Sequence, residues 1–91
     1  MNIEAAEATS ILLCKINAAL DAQLAAMQPH CEEAEYRQQR RLFGQVMAAT
    51  FEILNPIYTE YPGLKPRQLG GSYDLSSSAL AVSTANLVNG A

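Results

Sequence analysis

Between Ile3 and Met27 the chain carries neither glycine nor proline and is dominated by Ala, Leu, Glu and Gln, residue types that cost little in a helix. Leu13, Ile16, Leu20, Leu24 and Met27 recur at steps of three and four, which lays an apolar stripe along one side of that helix. Ile11 and Leu12 widen the stripe at its N-terminal end. Pro29 then interrupts the run. A proline has no N–H to donate and suits the first position of a new helix, and Glu32, Glu33 and Glu35 follow where the positive end of a helix dipole favours acids. A second helix is therefore predicted from Pro29, with Phe43, Met47, Thr50 and Leu54 on one stripe and Leu42, Val46, Ala49 and Ile53 on the next. Asn55-Pro56 kinks or ends it, because the residue before proline is pushed away from helical angles, and beyond a kink "IYTEY" can add one or two turns. The fold class that follows is all-α, an antiparallel two-helix hairpin over about residues 3–28 and 29–55.

A hairpin folded about Pro29 sets Ile16 opposite Leu42, Leu12 opposite Val46, Ile11 opposite Met47 and Leu24 opposite Ala34. Cys14 then faces Gly44, and close approach of the two backbones gives that glycine a packing reason. Cys31 lies about 20 Å from Cys14 along the helix axis at 1.5 Å per residue. A disulfide needs α-carbons within about 7 Å, so the hairpin excludes an intrachain bridge and leaves one between chains open.

Beyond the hairpin, residues 1–61, the stretch "PGLKPRQLGG" makes 62–75 a turn-rich connector with at most one helical turn, Pro66 to Leu69. Residues 76–91 carry no charge and are open to three readings: a short third helix, a strand, or a disordered tail. With only 91 residues, the chain buries a small share of its surface alone. Both helices are apolar over more than one neighbour can cover. The expectation is self-association as a helical bundle, a homodimer or higher homo-oligomer, through Ile11, Leu12, Leu42, Phe43, Val46, Met47 and Ile53.

A net charge of −3 argues against nucleic acid or anionic membranes as partners. Acids near the N-terminus and short uninterrupted apolar runs argue against a secretory leader or a membrane span, and a cytoplasmic location is expected. The two cysteines are too few for a disulfide scaffold. No nucleophile, base and orienting acid can be assembled, so no enzyme and no cofactor is expected.

The segment "MQPHCEEAEYRQQRR" collects the rarer side chains. His30, Cys31 and Glu33 are weak metal candidates, since consecutive helical residues diverge by about 100° and a metal needs convergent ligands. Cys31 sits where a helix start lowers a thiol pKa, but three glutamates oppose that shift. Arg37, Arg40 and Arg41 offer forked donors to an acidic group, yet Glu33 precedes Arg37 at ion-pair spacing. Lys65 and Arg67 beside Gly70-Gly71 lack the spacing of a phosphate loop. Tyr58, Tyr61 and Tyr73 suit a cover over the open end of the hairpin, with a docking surface as the alternative. The functional expectation is a non-enzymatic protein that mediates protein–protein interaction, adaptor-like or chaperone-like. The alternative is a sensor of a small ligand, metal or redox state using Cys31 and His30 at the bend.

Overall fold

A computed structural model of the chain describes residues 1–75; the uncharged tail lies outside the described residues. Two long helices pack against each other: α1, Ile3–Met27, and α2, Glu33–Glu60. Asn2 caps α1, its Oδ1 accepting from the Ala5 N–H at 2.8 Å, which satisfies one of the donors a helix start leaves free. The helices run antiparallel, because Ser10 meets Tyr58 while Asn17 meets Thr50. The molecule is 44 Å long, close to the ~42 Å that 28 residues of α2 span at 1.5 Å each.

The bend differs from a simple turn at Pro29. Gln28–His30 form a 3-10 turn, Cys31 and Glu32 are extended, and α2 starts only at Glu33. Residues in a 3-10 turn rise about 2.0 Å each and extended ones about 3.3 Å. The bend therefore carries the chain further before it returns, and the register of the hairpin shifts. Asn17, opposite Arg41 if the chain turned at Pro29, instead donates to Thr50, nine residues further on. The pairings of Ile16 with Leu42, Leu12 with Val46, and Ile11 with Met47 do not form in this register. Cys14 meets Tyr58, not Gly44, and a Cβ at Gly44 would find no neighbour within 4 Å, so close backbone approach is not its reason.

Of the two alternatives at Pro56, the ended helix does not hold: α2 continues to Glu60, with the Tyr61 N–H closing on the Ile57 carbonyl at 2.7 Å. Proline removes one helical donor. Pro56 is exposed, while its successors Ile57 and Tyr58 are buried and hold the last turns in place.

The core sits at the end remote from the bend: Ala6, Leu13, Leu54, Ile57, Tyr58 and Leu64, with Ile16, Phe51, Tyr61, Leu69 and Tyr73 packed around them. The segment 62–75 completes it as more than a connector. It forms two 3-10 turns, Pro62–Leu64 and Arg67–Leu69, and buries Leu64 and Pro66. Arg67 donates to the Tyr73 carbonyl and Tyr73 to that of Lys65, at 3.1 and 3.0 Å, closing the segment on itself. Gly70 takes φ +90° at the end of the second turn, a conformation that costs a Cβ-bearing residue strain. A Cβ at Gly71 would overlap the Lys65 backbone.

Candidate functional site

Stepping about 100° per residue around each helix divides the hairpin into two flanks. Leu13, Asn17 and Leu24 of α1 face Thr50, Leu54 and Ile57 of α2 between them. On one flank lie Cys14 and Asp21 of α1 with Met47 and Phe51 of α2. The 62–75 segment covers this side in part, leaving a cleft of about 320 Å³ that Pro66, Leu69 and Leu75 complete. On the opposite flank the apolar side chains stay open to solvent. Leu12, Val46 and Ile53 are each about half exposed and Leu42 is 39% exposed.

The open flank has an internal order. Leu42, Val46, Ala49, Ile53 and Pro56 follow one another at steps of four, three, four and three, the spacing of a seam that packs against another helix. Of the seven side chains expected at an interface, Leu12, Leu42, Val46 and Ile53 are exposed. Ile11, Phe43 and Met47 are half-buried, and Met47 lines the cleft on the other side.

Polar groups between the helices are matched with one exception. Ser10 Oγ and Tyr58 Oη lie 2.7 Å apart, and Tyr58 Oη is 3.7 Å from Cys14 Sγ. Burial, with Cys14 acting in the same direction, pushes the Tyr58 phenol up to about 12, against a smaller opposing effect of the Ser10 hydrogen bond. The Thr50 hydroxyl donates its one proton to the Met47 carbonyl at 2.7 Å and accepts from Asn17 Nδ2 at 2.9 Å. Asn17 Oδ1 is then left buried with no partner among the described residues. Tyr61 donates to the Met1 carbonyl and Tyr73 to the Glu7 carboxylate, at 2.9 and 2.7 Å. The three tyrosines thus reach back to Met1 and to the N-terminal half of α1, as a cover over the hairpin's open end. The Glu7 hydrogen bond, ahead of burial, raises the Tyr73 phenol.

The bend gathers less than its composition suggests. His30 is exposed, Cys31 is half-buried, and Glu33 is exposed and hydrogen-bonded to Arg37 at 3.0 Å. Among the described residues no three His, Cys, Asp or Glu side chains converge as a metal site. Partial burial, then a hydrogen bond with Glu35 and its charge, raise the Cys31 thiol, the direction opposite to that expected of a helix start. Both cysteines are free. Arg37, Arg40 and Arg41 line only a shallow surface hollow on α2 with Ala34 and Gln38. Around Lys65 and Arg67, the N–H groups of Arg67, Leu69, Gly70, Gly71 and Tyr73 all donate within the segment, which leaves them unavailable to cradle a phosphate.

Although no uninterrupted apolar run spans a bilayer, Ile3–His30 is long and apolar enough to cross a membrane by length and composition. Its most apolar 18-residue window has mean hydropathy 1.2, and 17% of that window is buried. The same stretch carries Lys15 and Asp21 and turns Ser10 and Asn17 onto α2. The half-covered cleft was missed in sequence, since it depends on how the 62–75 segment folds back over the helices. Comparison with known proteins yields no matching family model, no matching curated protein and no matching solved structure.

Proposed function

We propose that the chain is a non-enzymatic interaction protein that pairs with a second copy through its open flank, two hairpins forming a four-helix bundle. The observation that carries this reading is the exposed stripe Leu42, Val46, Ala49 and Ile53, joined on the same side by Leu12. A single exposed leucine means little; an apolar stripe along about half of a long helix marks an interaction surface. From Leu42 to Pro56 the stripe runs about 21 Å along α2 at 1.5 Å per residue, and a stable interface buries roughly 800 Å² per partner, so Leu12 and the neighbouring parts of both helices have to join it. Its chemical class is that of a protein partner, adaptor-like or chaperone-like, with the second copy as the first occupant.

The test is sedimentation equilibrium or multi-angle light scattering at micromolar concentration. A dimer that Val46→Glu or Ile53→Glu converts to a helical, cooperatively melting monomer supports the reading. A wild-type chain that is a stable monomer with a cooperative melt sinks it.

A further inference from the structure

The seam Leu42, Val46, Ala49 and Ile53 has two unlike edges on α2. Phe43, half-buried, and Thr50 and Ile57, both buried, form the inner edge, whereas Gln38, Gln45, Glu52 and Thr59 form an outer edge that is exposed throughout. Arg41 lies beside the outer edge and is also exposed. The one ion pair among the described residues joins Arg37 to Glu33, so neither Arg41 nor Glu52 is matched there within the chain. A second α2 laid parallel in register sets every seam residue level with its own copy. Ala49 then faces Ala49 and leaves a gap, Leu42 crowds Leu42, and Arg41 and Glu52 each stand level with a like charge. Laid antiparallel, with residues level when their numbers total 95, the same four side chains interlock as large on large and medium on small, which fills the layers evenly. Arg41 then comes within two residues of Glu52, about 3 Å along the axis. Across the hairpin Ser10 meets Tyr58 and Asn17 meets Thr50, which places Leu12 level with Asn55-Pro56 and within a turn of the other copy's Leu42. One layer further out Glu35 falls level with Glu60, both exposed, and the seam stops there.

We infer, on the reading that the chain dimerises through this flank, that the two copies of α2 cross antiparallel about a twofold axis between Met47 and Ala48, with Leu42 packed on the partner's Ile53, Val46 on the partner's Ala49, and Arg41 facing the partner's Glu52. Such a contact is self-complementary and closes at two copies.

The experiment is pulsed electron paramagnetic resonance on the full chain, with spin labels at Gln38→Cys or Thr59→Cys, both exposed positions, and the native thiols removed by Cys14→Ala and Cys31→Ser. The antiparallel arrangement separates Gln38 labels by about 29 Å and Thr59 labels by about 35 Å along the axis at 1.5 Å per residue. A parallel dimer keeps both pairs under about 20 Å, since packed helices lie 8–10 Å apart, and overturns the inference while leaving the association standing. A Gln38 distance longer than that of Thr59 overturns the register. A monomeric wild-type chain overturns both the arrangement and the reading beneath it. A charge exchange needs no cysteine change and decides the matter if Cys14→Ala loosens the fold. Arg41→Glu and Glu52→Arg should each raise the dimer Kd about three- to tenfold at low ionic strength, and the double variant should return it to within about twofold of wild type. Glu52→Arg lowers the net charge of −3 to −1, so its weakening of the dimer runs against simple repulsion. A double variant no tighter than either single one overturns the placement of Arg41 against Glu52.

Discussion

Replacing Tyr58 with Phe removes one oxygen from between the helices near the open end of the hairpin and tests whether the polar contacts between α1 and α2 hold the register. Tyr58 is 8% exposed and Ser10 3%, so neither hydroxyl can turn to water once its partner at 2.7 Å is gone. A buried group left unsatisfied costs about 1–3 kcal/mol. Ser10 lies in a helix and can fold its hydroxyl back onto a carbonyl one turn earlier, which puts the expected loss at the lower end, about 1–2 kcal/mol. Ser10→Ala should cost a similar amount, and the double variant less than the two together, with a coupling of about 1 kcal/mol. The assay is urea unfolding followed by far-ultraviolet circular dichroism at one fixed protein concentration, because association adds a mass-action contribution. Alkaline pH gives a second readout. The Tyr58 phenol, pushed up to about 12 in the fold, titrates near 10 in an unfolded chain. Its contribution is complete below pH 10. Between pH 10 and 12 the folded chain holds a proton that the unfolded chain has lost, so stability falls with rising pH, by at most about 1.4 kcal/mol per unit. Tyr58→Phe should flatten that fall, leaving the smaller effect of Tyr61 and Tyr73, which are also shifted upward. Single-variant losses that simply add within about 0.3 kcal/mol, or an unchanged alkaline slope, refute the pairing of Ser10 with Tyr58.

Two glycines should respond with opposite sign in the same unfolding assay. Gly44→Ala, inside α2 with free space around the new methyl, should stabilise by up to about 1 kcal/mol, whereas Gly71→Ala must displace the Lys65 backbone and should destabilise by about 1–3 kcal/mol. At pH 7.5 Cys31 should react with an aromatic disulfide more slowly than an unhindered model thiol, since partial burial and Glu35 raise its pKa and only the thiolate attacks. Glu35→Gln should speed the reaction, and a wild-type rate above the model thiol's counts against that environment.

The all-α class, the extent of α1 and the presence of two long packed helices were legible in Ile3–Met27 and the stripes after Pro29, because period and propensity there agree. The shape of the bend, the choice at Pro56 between an ended and a continued helix, and the register were not. Burial of Ile57 and Tyr58 against distant parts of the chain anchors the turns beyond Pro56, and the 3-10 turn at Gln28–His30 displaces the start of α2. The missed register follows from the bend. A fold about Pro29 joins Leu12 to Val46 and Ile16 to Leu42, whereas the longer bend brings Ser10 to Tyr58 and Asn17 to Thr50. Hydropathy ranks the two stripes of α2 the wrong way round, since the one that turns inward contains Thr50 and the wholly apolar Leu42, Val46, Ala49 and Ile53 remain outside. Hydrogen bonds between Asn17 and Thr50 are available only when both are brought together, so they favour the inward turn of the more polar stripe. The same choice leaves the more apolar stripe uncovered within one chain, and burying half-exposed Leu and Ile side chains is worth about 25 cal/mol per Å². A second hairpin on that flank would gain this without disturbing a single polar contact inside the first, so the proposed association and the polar contacts that accompany the register use different faces of α2.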